Sequence, residues 1–269
     1  MKIEQLHLCR TIRICAVLFL LGFAASCKDD LEGITPDKLL DNAYSSAHEG
    51  RWEDALRFTG QAYTLRPDDT SVRLLHALAL ENNSRGQDAL EVSRLAAKDS
   101  KSFYAQYTYG RMLFQQKKYS SAQTYLNRAA ALKPDDFNTL ILQQQTAARL
   151  NQFEANPKLC GNLFKLFGRQ RGADFSAYIY NELALNILAQ KKLNSRMQTR
   201  LLNIFERANK VAPSSPELAW NQAVFYDYYL GDTVAAKKHY EKFLRLTENY
   251  SGMEKERTAV RERLYNTGK

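Results

Sequence analysis

Cysteine is scarce in this sequence, four residues in 269, and the four form no Cys-x-x-Cys pair. A disulfide framework is therefore excluded, and so is a cysteine-based metal site. With 12 Gly and 6 Pro and no repeating tripeptide, collagen-like and low-complexity classes are excluded too. Only one apolar stretch exceeds ten residues, within the uncharged run from Ile14 to Ser26, and its position at the N-terminus rules out a polytopic membrane protein. Histidine is equally thin. His7, His48, His76 and His239 stand far apart, without the His-x-x-x-His spacing that would place two ligands on one helix face, so no metal is expected. Gly-x-Ser-x-Gly, a phosphate-cradling glycine loop and a dinucleotide fingerprint are all missing. The chain reads as a non-enzyme without a cofactor. Cys160 and His239 are a nucleophile and a base by type, but nothing in the sequence brings them together, and the Asp68-Asp69 and Asp135-Asp136 pairs read as solvated turn residues.

What is present begins with Lys2, Arg10 and Arg13 ahead of the uncharged run. Its helical rise of about 20 Å falls short of a ~30 Å hydrocarbon core, so residues 1–26 read as a signal peptide and not a span. The run ends Ala-Ala-Ser-Cys at Cys27. This resembles the lipobox of bacterial lipoproteins, although Ala24 stands where that family usually has Leu. The resemblance implies acylation of Cys27, membrane attachment through its acyl chains (palmitate among them), and an address in the cell envelope at the outer membrane. Ordinary secretory cleavage is the alternative. Lys28-Asp29-Asp30 is similar to the export signal of Bacteroidetes lipoproteins, which implies surface display; otherwise residues 27–35 are a flexible, solvated tether. Removing the signal's Lys2, Glu4, Arg10 and Arg13 takes the formal charge from +9 to +7. Such a balance raises nucleic acid as a partner, but export argues against it and in favour of an anionic envelope surface, an acidic partner, or plain solubilising charge.

The strongest pattern is periodic. Ala43, Ala77 and Gly110 form one series of small residues; Ala55, Ala89 and Ala122 form a second, and Ala62, Ala96 and Ala129 a third. All three share one spacing of 34 then 33 residues, with constant offsets of twelve and seven inside each unit. Small side chains are needed wherever two helix axes come within about 8–10 Å. Tyr119 at a turn, Pro36 opening the first unit, Pro67 closing that same unit and Pro134 closing the third complete the pattern. It resembles the tetratricopeptide repeat (TPR). The resemblance implies an all-α, right-handed superhelical solenoid of about six helical hairpins over residues 36–250, with a capping helix at 251–269. The units are 36–69, 70–102, 103–136, 217–250 and two degenerate ones, 137–172 and 173–216. Those two carry extra residues near 151–157 and 191–195, read as irregular loops, with Gly161 and Gly168 restoring the seven-residue offset. Cys160 reads as a small core residue.

In that family the second, fifth, ninth and twelfth residues of each unit face a concave groove. Carried over, they are Tyr44, Leu74, Leu78, Glu81, Tyr104, Tyr107, Arg111 and Phe114, then Asn221, Phe225 and Tyr228 in the last unit. Aromatics with arginine dominate interface energies, which suits a protein or peptide ligand. The same aromatics at helical spacing are also compatible with a core role. Leu40 and Tyr44 do not match the carboxylate-clamp type of groove. The functional expectation is a lipid-anchored interaction or scaffold module of the envelope; the alternative is a glycan-binding accessory lipoprotein that stacks sugars on groove aromatics. Partner identity and oligomeric state are not encoded in any motif.

Overall fold

The computed structural model describes residues 33–190 and 192–267, so the signal segment, Cys27 and most of the tether lie outside the described residues. Among the described residues the chain is helical, without a strand. The helices are α1 (Pro36–His48), α2 (Trp52–Leu65), α3 (Thr70–Asn82), α4 (Gly86–Ala96), α5 (Phe103–Gln115), α6 (Tyr119–Leu132) and α7 (Phe137–Arg149). They continue with α8 (Ala155–Leu188), α9 (Ser195–Val211), α10 (Pro216–Val224), α11 (Thr233–Thr247) and α12 (Glu254–Thr267). They gather into two compact units, one ending at Tyr109 and the other beginning at Gly110. Six hairpins are formed, each a first helix followed by a second, and α12 follows the last.

Local chemistry explains where the helices start. First helices take a side-chain cap: the Asp69 carboxylate accepts from the Ser71 and Val72 amides at 2.7 and 3.1 Å, and Asp136 accepts from Thr139 at 2.8 Å. Thr35 and Ser215 do the same for Lys38 and Leu218. Second helices α2, α4 and α6 have no such cap. They follow a tight turn in which one residue is left-handed, Gly50, Ser84 or Lys117, and the same device recurs at Asn151 and Gly231.

The small-residue ladder sits where the helices touch. Ala43, Ala55, Ala62, Ala77, Ala96, Ala122 and Ala129 are fully buried, and Ala89 is 1% exposed. A methyl group built at Gly110 would stand 3.0 Å from Leu126 Cγ and 3.2 Å from the Leu126 backbone nitrogen, so α5 and α6 approach too closely for any larger residue.

The fourth hairpin departs from expectation. Gly161 is exposed with nothing near it, and Gly168 meets only the Phe164 ring. The buried edge of this helix is Asn156, Cys160 and Leu163, one residue out of register with the predicted glycines, and Phe167 packs beside it. The extra residues also do not form long loops. They lengthen helices: α8 is two helices meeting at Gly172 (φ 74°, ψ −162°), 155–171 of 17 residues and 173–188 of 16, and α9 runs 17, against 13 or 14 in α1 to α3. The backbone at Gly172 is accessible essentially only to glycine, so that one residue turns a single rod into the second helix of one hairpin and the first helix of the next.

The last hairpin has its own irregularity. From Phe225 to Leu230 the first helix widens into a π turn ending at left-handed Gly231. The π turn holds Asp227 inside, where its carboxylate takes a bidentate pair from Arg263 of α12 at 2.7 and 2.8 Å and a hydrogen bond from the Tyr240 hydroxyl at 3.1 Å. Val260 adds an apolar contact in the cluster with Ala219, Ala236 and Phe243. α12 is thereby fixed over the end of the last hairpin, as a terminal repeat requires.

Candidate functional site

In the second compact unit the first helices lie side by side: the second half of α8 joins α10 through the Asn221 side-chain amide, which donates to Asn181 Oδ1 at 2.6 Å. Their free side forms two clefts. One, of about 450 Å³, is lined by Phe114 from α5, Gln145, Ala148 and Arg149 from α7, and Tyr178, Glu182 and Leu185 from α8, with Phe153 at its rim. The other, of about 550 Å³, is lined by Asp174, Ala177, Asn181, Glu217 and Tyr250. Tyr178 borders both, so the clefts run on from each other along one helix. Phe114, Gln145 and Ala148 occupy ninth or twelfth places of their hairpins; Asp174, Ala177 and Asn181 occupy second, fifth and ninth places of theirs. Those are the positions that the repeat aims into its groove.

A buried polar network forms the floor of the first cleft. The Tyr178 hydroxyl donates to Gln144 Oε1 at 2.5 Å, and Gln144 Nε2 donates to Glu182 Oε2 at 2.7 Å and more weakly to Asn156 Oδ1 at 3.5 Å. The Cys160 thiol donates to the same Asn156 oxygen at 3.2 Å. Burial, reinforced by the Glu182 charge, raises the Tyr178 phenol and pushes the Cys160 thiol up to about 12, so both keep their protons at neutral pH. A protonated thiol facing a carbonyl oxygen is a packing residue and not a nucleophile. His239 belongs to a different core cluster, stacked on Tyr226 at 5.3 Å, and burial holds its ring down to about 4. Among the described residues no group of His, Cys, Asp or Glu is arranged to hold a metal ion.

The predicted groove residues divide by environment. In the first compact unit Tyr44 is 55% exposed and shares a shallow depression with Leu78, Leu75 and Trp52, while Leu74 and Glu81 are half-buried on the same helix as Leu78. Tyr104 is 62% exposed and meets the Phe103 ring edge-on, and Tyr107 is half-buried and stacked on that ring. In the second compact unit Arg111 is half-buried, and Phe114 lines the first cleft against the edge of Tyr119. Two residues need correction. Phe225 is fully buried, packed on Phe205, Tyr226 and Tyr229, because ordinary helical spacing sets it on the buried stripe of Leu218, Asn221 and Gln222. Asn221 is 6% exposed and spends its amide on Asn181. Tyr228, in the same π turn, is 69% exposed with Arg263 over its ring. Gln145, Arg149, Asp174, Tyr178, Glu182 and Glu217 were not singled out, because the two degenerate units carry little of the repeat's small-residue signature and Glu217 precedes the inward places of its own unit. Counting inward places from Phe137 and Ala173 would have reached Gln145 and Asp174.

No protein-family model matches the sequence, and no curated protein matches it. Solved structures do. MamA matches with a TM-score of 0.56 at 13% identity, covering 72% of this chain and 94% of that one. YrrB, described as a TPR protein with an unusual peptide-binding site, gives 0.56 at 14% identity over 71% of this chain and 93% of its own. Pseudomonas aeruginosa PilF gives 0.55 at 16% identity, covering 81% and 92%. At such identities the likeness establishes the fold, a TPR solenoid.

Proposed function

We propose that this protein is an interaction scaffold that holds an extended peptide segment of a partner protein along the first helices of its second compact unit. The observation that carries the reading is the pair of continuous clefts bordering Tyr178, built from inward-facing positions. The first cleft offers the Phe114 ring and Leu185 for a bulky apolar side chain, with Arg149 and Glu182 to orient the backbone or a polar neighbour. The second sets Asp174 and Glu217 in its wall with no Lys or Arg among its lining residues, which suits a basic side chain. The peptide-binding site named for YrrB, whose fold this chain shares, supports the same mode. The one described thiol, Cys160, is buried and protonated and serves packing rather than nucleophilic chemistry. The lipobox-like segment ending at Cys27 supports attachment to the outer membrane through acyl chains, and Lys28-Asp29-Asp30 supports display at the cell surface.

Selection from a phage-displayed random peptide library on the full-length protein tests the groove. Selected peptides are expected to pair a Lys or Arg with a bulky apolar residue. Asp174→Asn/Glu217→Gln should weaken them about tenfold or more, with a shallower salt dependence. Peptides lacking basic residues, or binding that survives the double substitution, would overturn the assignment. A second reading, glycan binding, is favoured by the exposure of Tyr44, Tyr104 and Tyr228. Purified polysaccharide retained by the wild type and lost on Tyr104→Ala would support it.

A further inference from the structure

The fourth to sixth hairpins sort their charge by helix. In the second helices, the first half of α8 carries Lys158, Lys165, Arg169 and Arg171 with no carboxylate. α9 carries Arg196, Arg200, Arg207 and Lys210 against Glu206 alone, and α11 has four Lys or Arg against Glu241. The first helices run the other way. The second half of α8 has Asp174 and Glu182, α10 with its π turn has Glu217 and Asp227, and neither has a Lys or Arg; α7 has only Arg149.

Helical spacing turns the basic residues into stripes. In α8, Lys158, Lys165 and Arg169 fall opposite the buried edge of Asn156, Cys160 and Leu163. Arg196, Arg200 and Arg207 lie away from buried Leu201, Phe205 and Ala208, and Lys238 and Arg245 lie opposite Tyr240 and Phe243. α9 and α11 are tied together by Lys242 Nζ, which donates to Asn209 Oδ1 at 3.3 Å. The stripes therefore lie along the solvent-exposed edges of these second helices, away from the side chains each helix buries.

These charges are uncompensated. In the first compact unit Arg51, Arg66, Arg85 and Arg94 each hold a carboxylate partner. Among the described residues of the three stripes, none of Lys158, Lys165, Arg169, Arg196, Arg200, Arg207, Lys238 or Arg245 forms an ion pair; the neighbouring Lys210–Glu206 pair is the exception on α9. The crowding is felt locally: burial and then Arg245 and Lys238 hold the Lys242 ammonium below its ordinary range. Leu166 and Leu202, each about 40% exposed, stand on the same helices.

We propose that the face formed by the first half of α8, α9 and α11 lies against an anionic lipid bilayer. Charge complementarity selects an anionic partner, and the layout selects a sheet-like one. The stripes extend over three helices and do not converge on a pocket, since the depression at Arg196, Arg200 and Asn203 is lined by α9 and the preceding Asn194 alone. Half-exposed aliphatic side chains beside lysine and arginine are what a headgroup layer accommodates, whereas single-stranded nucleic acid needs stacking platforms. Each basic side chain at such a surface adds about a fivefold factor in partitioning, within a screening distance of about 8 Å at physiological salt. The inference stands on charge placement alone and does not depend on what the clefts bind.

Full-length protein is titrated with vesicles of phosphatidylcholine and with vesicles also containing phosphatidylglycerol. The N-terminal apolar segment contributes to both, so their difference reads the basic face. Tighter binding to the anionic vesicles, weakening with salt, is expected. Arg196→Gln/Arg200→Gln/Arg207→Gln should lower that affinity about a hundredfold and leave neutral vesicles unaffected. Lys38→Gln/Lys98→Gln/Lys101→Gln, which removes the same charge from exposed positions of the first compact unit, should leave both unchanged. Equal binding to the two vesicle types, equal losses in the two triple variants, or preference for a DNA duplex over anionic vesicles at equal phosphate would each overturn the proposal.

Discussion

At Ala122 the side chain is sealed against the facing helix, and the neighbouring Gly110 leaves no space beyond its hydrogen. Ala122→Leu is expected to cost roughly 1–3 kcal/mol through overpacking, read as a lower midpoint in urea unfolding; an unchanged midpoint would contradict the packing described. His239 makes a second prediction at this scale. The folded chain keeps its ring neutral down to about 4, against an ordinary value of 6.5, so the unfolded chain binds the extra proton between those limits. Stability is therefore lost as the pH falls from about 6.5 towards 4, by roughly 1–2 kcal/mol once solvent screening of a half-buried ring is allowed for. His239→Gln should flatten that part of the stability profile in unfolding titrations at successive pH values; an unaltered profile would show that another group is responsible. The alanine ladder is readable in the sequence because alanine at a helix crossing is a steric necessity. Cys160 and Leu163 fill the equivalent place in the fourth hairpin without any such signature, so the register there is legible only once the helix is built.

Among the elements, α8 and the π turn decide what sequence periodicity misses. Two helices meet across a repeat boundary because Gly172 lets the backbone turn without a loop, and nothing in the local composition separates that glycine from Gly161 or Gly168. The π turn likewise holds Asp227 on the buried side, which no periodic signal marks. α12 is held by two arginines: Arg257 donates to the Thr247 and Tyr250 carbonyls at 2.6 and 2.7 Å, and the Arg263 guanidinium holds the Asp227 carboxylate below its ordinary range. Arg263→Met leaves that buried carboxylate with only the Tyr240 hydroxyl. Amide exchange across α12 should then rise about tenfold or more while α1 to α4 stay as they were. Unchanged protection of α12 would assign its docking to Val260 and Leu264 instead.

Among the described residues, the helices divide the work by position within each hairpin. In the second compact unit, first helices carry the clefts and acidic side chains, and second helices carry unpaired basic stripes. The period of 34 made this architecture legible from sequence, while the clefts were not, because much of their lining comes from connections such as 211–217 and from Tyr250, which no repeat position marks. Hydrogen–deuterium exchange with and without a library-selected peptide tests the groove most directly. Protection confined to the end of α5, α7 and the second half of α8 is predicted; protection centred on α9 and α11 would contradict it.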